Sequence, residues 1–177
     1  HISWPMIGIE SIGAGGGTIA AVDPVTGRLR LGPRSAGADP GPACYDRGGT
    51  EPTVTDADLL LGILNPDYFL GGRMKLSRQR AEEALQEKVA GPLGMTLTEA
   101  AAGVYDIING HMSDLVRKQV VSSGQVPEDF VIYAYGGAGP MHAAAYAKDL
   151  GVERIYVFPT SAVFSALGVA TADVVHT

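Results

Sequence analysis

Two glycine-rich turns dominate this chain. Gly13-Ala14-Gly15-Gly16-Gly17-Thr18 lies near its start and Tyr135-Gly136-Gly137-Ala138-Gly139-Pro140 in its last third. Glycine lets the backbone approach a ligand closely and adopt conformations that a Cβ forbids. The second turn follows an apolar run, Phe130 to Tyr135, and precedes a small-residue helical pattern, Met141 to Leu150. A strand that breaks into glycines and then into a helix start points free N–H groups at an anion. A nucleotide or another phosphate ligand is therefore the first expectation. The plainer reading of the second turn by itself is a tight strand–helix connection whose small residues serve packing. It is neither a Walker A motif nor a dinucleotide fingerprint, since it lacks both the Gly-Lys-Ser/Thr ending and the G-x-G-x-x-G spacing.

The chain has 177 residues, 46% of them apolar, enough for the core of one domain or of a lobe of a larger protein. A net charge of −6 argues against a nucleic-acid surface and against an anionic membrane surface. No apolar stretch is long enough to predict a transmembrane helix. The opening His1-Ile2-Ser3-Trp4-Pro5 has neither the basic nor the apolar region of a signal peptide, and it lacks an initiator Met, which fits a fragment or a processed chain. The single cysteine, Cys44, excludes an internal disulfide and a multi-cysteine metal site, and a reducing cytoplasm is the default expectation.

Residues Met6 to Ile12 read as a strand, interrupted by the first glycine cluster. Thr18 to Val22 and Arg28 to Leu31 read as the arms of a hairpin around Asp23-Pro24-Val25-Thr26-Gly27. Residues 32–56, with Gly32-Pro33, Asp39-Pro40-Gly41-Pro42 and Gly48-Gly49, predict a long functional loop. Asp56 or Thr55 then caps a short helix over Ala57 to Leu64. Ser77 caps a helix to Ala90, broken by Gly91-Pro92-Leu93-Gly94. Thr98 caps a long helix to Ser123, with Gly124 as its stop. The last third reads as β-α-β-α: strands Phe130 to Tyr135 and Arg154 to Phe158, helices Met141 to Leu150 and Ser161 to Asp173. This is the pattern of a parallel βαβ unit, in which ligands gather at the carboxyl ends of strands, where the Tyr135–Pro140 turn falls.

Among single residues, Asp56 reads equally as a cap or a ligand contact. His142, at a helix start, reads as a base or phosphate contact, or more plainly as a packing histidine. His111 and Asp114 lie three apart on the long helix; two ligands without a third make a weak metal site. Cys44 has no histidine near it in sequence and reads as a buried structural thiol. Ser161 and Ser165 lack the G-x-S-x-G elbow of serine hydrolases.

Five motifs then occur in order: Ser11-Ile12-Gly13-Ala14-Gly15-Gly16-Gly17-Thr18-Ile19-Ala20; Gly32-Pro33-Arg34-Ser35-Ala36-Gly37-Ala38-Asp39-Pro40-Gly41-Pro42-Ala43-Cys44-Tyr45; Thr53-Val54-Thr55-Asp56-Ala57-Asp58; Tyr135-Gly136-Gly137-Ala138-Gly139-Pro140-Met141-His142; and Phe164-Ser165-Ala166-Leu167-Gly168. Through them the chain closely resembles the hydantoinase A / 5-oxoprolinase family over nearly its whole length. That family includes ATP-dependent N-methylhydantoinases, 5-oxoprolinases and the ATP-binding subunits of acetone and acetophenone carboxylases. One departure is that many members carry an acidic residue and a histidine where this chain has Gly8 and Glu10.

The resemblance implies an α/β fold of the actin-like ATPase type, a lobe with a mixed sheet and flanking helices. It makes residues 1–177 a single partial domain, the C-terminal part of the ATPase domain of a longer protein, without the upstream phosphate motifs. It implies ATP and Mg²⁺ as cofactors, phosphorylation of a cyclic amide for hydrolysis or of a ketone for carboxylation, and a hydantoinase B-like partner subunit in a hetero- or homo-oligomer. Gly136, Gly137 and Gly139 are the expected nucleotide contacts. Gly15, Gly16, Gly17, Thr18 and Asp39 are expected on the substrate side, with Asp56 and His142 as catalytic candidates. The alternative is a non-catalytic nucleotide-binding or assembly module. Ala172-Asp173-Val174-Val175-His176-Thr177 and Val126-Pro127-Glu128-Asp129-Phe130 look more like the carboxylase branch.

Overall fold

The computed structural model describes residues 9–172. Strands β1 (Thr18–Val22) and β2 (Leu29–Ser35) form the expected antiparallel hairpin, with Ala20 opposite Leu31 and a register shift between Thr18 and Ala20. Asp23 shapes its turn, one carboxylate oxygen accepting from the N–H groups of Val25 and Thr26 at 2.9 Å each. β2 runs on through Gly32-Pro33 to Ser35, so the following loop starts later than expected. β2 is an edge strand, and there a proline forfeits no ladder bond on its open side. Residues 9–12 form no strand, and residues 6–8 of the expected first strand lie outside the described residues.

Helix α1 (Val54–Leu60) begins one turn earlier than expected. Its cap is Thr53, whose hydroxyl accepts from the Asp56 N–H, while the Asp56 side chain reaches back to the Thr53 N–H at 2.7 Å. Asp56 is therefore the third helical residue of a capping box, not the cap itself. Ser77 caps α2 (Arg78–Leu85) as expected. A π-helical turn, Gln86–Ala90, carries the chain into a single turn α3 (Gly91–Leu93), so Gly91-Pro92 does not break the helix. The Gly91 N–H bonds five residues back to the Gln86 carbonyl, Pro92 sits in the first turn of α3, where a proline is tolerated, and the stop comes at Gly94, in the left-handed conformation with φ 63°. Thr96, with Glu99 completing a second capping box, starts the 26-residue α4 (Leu97–Ser122), two residues before the expected Thr98.

The last third is a short parallel βαβ unit. β3 (Ile132–Tyr133) pairs with β4 (Ile155–Tyr156), and α5 (Gly139–Leu150) connects them. Both strands are shorter than their apolar runs, because only two residue pairs meet. A 3₁₀ turn, Ser161–Val163, leads into α6 (Phe164–Thr171); Asp173, the expected helix end, lies outside the described residues. Among the described residues the strands form two separate two-stranded sheets rather than one mixed sheet.

α4 is the spine. Its Ala100, Ala101, Val104 and Ile108 pack into a core with Ala20, Leu31, Val54, Ala57, Leu85 and Val89. Further along, Met112 and Val116 pack against a second cluster, Ala134, Ala143, Tyr146, Ala147, Leu150 and Val152. One long amphipathic helix thus joins the hairpin half to the βαβ half.

Replacing Asp56 by Ala leaves buried donors at Ala43, Cys44 and Thr53 without an acceptor. The expected loss, read by urea denaturation, is about 3 kcal/mol. Cys44 is fully buried, and burial pushes its thiol up from the ordinary range. Its alkylation at neutral pH is expected to follow the rate of unfolding, measured by mass spectrometry against denaturant.

Candidate functional site

The two glycine turns, more than a hundred residues apart in sequence, face each other across one cavity. Its volume is about 370 Å³. Its lining comes from Gly16 and Gly17 of the first turn, Gly137, Ala138 and Met141 of the second turn and α5, and the apolar residues Tyr45, Phe69 and Leu70. A Cβ placed on Gly16 would stand 4.0 Å from the Ala138 Cβ, so the turns all but touch there. Tyr45 and Phe69 form a tilted ring pair with centroids 5.5 Å apart. The cavity therefore has a backbone-lined polar wall and an aromatic-aliphatic wall, the usual combination in small-molecule sites.

Each turn is held by one hydroxyl. Thr18 Oγ1 donates to the Gly13 carbonyl at 3.0 Å and accepts from the Gly15 N–H at 2.9 Å. Ser161 Oγ donates to the Ala134 carbonyl at 3.1 Å and accepts from the Phe158 N–H at 2.7 Å, while the Ser161 carbonyl accepts from the Gly136 N–H at 2.8 Å. α1 supplies a further anchor. Both the N–H and the hydroxyl of Thr55 donate to the Gly16 carbonyl, each at 2.9 Å. The second turn runs straight into the N-terminus of the twelve-residue α5, whose dipole favours negative charge at that end.

The expected nucleotide residues divide between two surfaces. Gly137 lines the cavity between the turns, whereas Gly136 lines a neighbouring hollow of about 270 Å³ with Tyr135, Phe164, Ser165 and Ala166. Gly139 begins α5 and lines neither. Of the residues expected on the substrate side, Gly16 and Gly17 line the cavity. Gly15 and Thr18 face a separate shallow hollow, and Asp39 is exposed on the loop.

Asp56 and His142 are both buried and line neither hollow. The Asp56 carboxylate accepts from the N–H groups of Ala43, Cys44 and Thr53 and from the Thr53 hydroxyl, at 2.7 to 3.3 Å. His142 stacks on Tyr105, ring centroids 5.0 Å apart, and its Nε2 lies 3.2 Å from Asp58 Oδ2. Burial pushes the Tyr105 phenol up from its ordinary value. His111 and Asp114 stand exposed at the rim of an apolar hollow of about 500 Å³ lined also by Ile12, Leu31, Pro33 and Lys118. Among the described residues no three His, Cys, Asp or Glu side chains gather as metal ligands, and no helix is long and apolar enough to cross a membrane.

Sequence reasoning missed Thr55, Asp58 and the apolar wall. Asp58 lies two residues after Asp56 on a seven-residue helix, so the two carboxylates point to different sides of it; that spacing was the available signal. Nothing local marks Phe69 or Leu70, which reach the cavity only through tertiary packing.

The chain matches the Hydantoinase/oxoprolinase family over residues 1–177, and it belongs to that family. It is 51% identical over 166 residues to the acetophenone carboxylase gamma subunit of Aromatoleum aromaticum, covering 94% of this chain and 22% of that protein. It is 42% identical to the caprolactamase subunit alpha of Pseudomonas jessenii, covering 98% of this chain and 25% of the relative. The nucleotide-free structure of acetone carboxylase superposes with a TM-score of 0.90 at 41% identity, over 97% of this chain and 24% of that one. The chain thus spans about a quarter of the length of these relatives.

The glycines make separable predictions. A Cβ at Gly16 would lie 2.6 Å from Thr55 Oγ1, whereas one at Gly137 meets nothing within 4 Å. Gly16→Ala is expected to lower the melting temperature by several degrees, a loss of about 1–2 kcal/mol from the displaced Thr55 bond. Gly137→Val is expected to leave it within a degree or two, by scanning calorimetry.

Proposed function

We propose that this chain is the nucleotide-contacting part of an ATP-dependent enzyme that activates its substrate by phosphorylation, within an actin-like ATPase lobe. The observation that carries the reading is the convergence of the two glycine turns on one cavity at the start of α5. In this reading Gly137, with Ala138 and Met141, contacts the nucleotide, while Gly136 and Gly139 shape the turn on either side of it. Gly16 and Gly17 form the facing wall, Gly15 and Thr18 brace that turn from behind through their own hydrogen bond, and Asp39 stands exposed on the loop. Backbone N–H groups fixed before the ligand arrives stabilise developing phosphoryl charge without reorganising.

Asp56 and His142 act in this reading as scaffold rather than as acid or base, since neither reaches the cavity. Mg²⁺ would arrive with the triphosphate; among the described residues no three His, Cys, Asp or Glu side chains gather to hold it. That the acetophenone carboxylase and caprolactamase relatives are subunits supports a larger assembly, in which a hydantoinase B-like subunit is the partner proposed here and the cytoplasm the compartment.

The reading covers both ketone carboxylation and cyclic-amide hydrolysis: the acetophenone carboxylase subunit shares 51% of aligned residues with this chain, but the acetone carboxylase beta subunit and the caprolactamase subunit alpha share 42% each, and the assay below decides between the two chemistries.

Titration calorimetry with ADP tests the site. Binding by the native protein that Gly137→Val weakens at least tenfold supports it. Equal binding by both overturns the placement, and no binding by the native protein overturns the nucleotide reading. Hydrolysis of ATP that requires bicarbonate and a ketone, assayed with the partner subunit, would distinguish carboxylase from hydrolase.

A further inference from the structure

The Asp58–His142 pair is the one fully buried pairing of an acidic with a basic side chain among the described residues, with side-chain exposures of 0% and 2%. It joins α1 to α5, 84 residues apart in sequence. With the ring proton on Nε2, His142 donates to Asp58 Oδ2 across 3.2 Å. The second oxygen of Asp58 and Nδ1 of His142 have no protein partner. A pair with half its polar atoms unmatched is a poor source of stability, because the desolvation penalty offsets the attraction. What it provides instead is a defined relative placement of two elements, a role that buried polar pairs fill in several proteins.

Of the two elements it ties, α1 pins the first glycine turn through Thr55 and α5 begins at the end of the second. Thr55, one helical turn before Asp58, holds the Gly16 carbonyl with two hydrogen bonds. His142 lies in the first turn of α5, directly after Gly136-Gly137-Ala138-Gly139. Gly16, Thr55, Asp58, His142 and Gly139 thus form one continuous linkage around the cavity. Tyr105 of α4, stacked on the imidazole, fixes its plane from the third side.

We propose that Asp58 and His142 are positioning residues: their hydrogen bond sets the separation of the two glycine turns and so the affinity of the cavity for its ligand, without touching that ligand. This rests on the nucleotide reading above for the identity of the ligand.

The test pairs ADP calorimetry with amide hydrogen exchange of the ligand-free protein. Asp58→Ala is expected to weaken ADP binding at least tenfold and to speed exchange in the segments 13–18 and 135–140. Asp58→Asn keeps an acceptor for Nε2–H and is expected to recover affinity to within threefold. Val89→Ala, a core truncation that removes no member of the linkage, serves as the stability control and is expected to leave affinity within twofold. Should Asp58→Ala not fold, the apolar double variant Asp58→Leu/His142→Phe removes both polar groups while retaining a ring against Tyr105. It is expected to fold and to show the same loss and the same faster exchange. Native-like affinity and exchange in Asp58→Ala or the double variant, or an equal loss of affinity in Val89→Ala, would overturn the proposal. If the native protein binds no ADP, the nucleotide reading fails, and exchange in the two turn segments alone decides whether the pair positions them.

Discussion

A carboxylate buried without a cation organises this fold. Asp56 is fully enclosed, and every group that solvates it is a neutral donor: three backbone N–H groups and one hydroxyl. A charge removed from water is tolerated only when its lone pairs are so engaged. Two of those donors, at Ala43 and Cys44, belong to a 3₁₀ turn in the long loop; the others belong to the cap of α1. The residue thereby fastens a glycine- and proline-rich excursion to the first turn of a helix. The neighbouring Pro52 carbonyl accepts from Ala20 of β1, and Thr53 bridges to Ile19. Strand, loop and helix meet at this knot, and the placement of Thr55 against Gly16 follows from it.

From that knot the asymmetry of the cavity follows. The loop brings Tyr45 beside Phe69, giving one wall of ring and aliphatic surface, while α1 pins the first glycine turn as the opposite wall. The second turn is brought in by α5, and α5 is located by α4, which packs against both halves. The site thus depends on long-range packing of a kind that no single motif encodes.

This explains what was legible in the sequence. The hairpin at Thr18–Val22, the Ser77 cap, the stop after Ser123 and the parallel pairing of β3 with β4 were readable because each rests on local chemistry: turn residues, a capping hydroxyl, a glycine, an apolar run. The family was readable from five ordered motifs. The caps of α1 and α4 were misplaced by two or three residues because Thr53-Val54-Thr55-Asp56 and Thr96-Leu97-Thr98-Glu99 each offer two hydroxyls, and only the one three residues before the acidic side chain closes the box. The passage through Gly91-Pro92 was misread because a π-turn defeats the rule that proline ends a helix. The His142 partner of Asp58 and the apolar wall were invisible because they lie far along the chain from the motifs they complete.

The motif residues of this chain fall into two physical kinds. Thr18, Thr55, Asp56, Asp58, His142 and Ser161 turn their polar atoms inward, onto backbone groups or onto one another. The glycines between them present bare backbone to the cavity. A wall made of backbone cannot donate or take a catalytic proton at neutral pH, but it can place N–H dipoles with little freedom to relax. Electrostatic preorganisation of that kind is often the largest single contribution to transition-state stabilisation where charge develops on phosphoryl or acyl oxygens. Side chains spent on anchoring and backbone left for contact are what a phosphate-handling surface needs, and they account for buried acids and a buried histidine lying among motifs that otherwise consist of glycine.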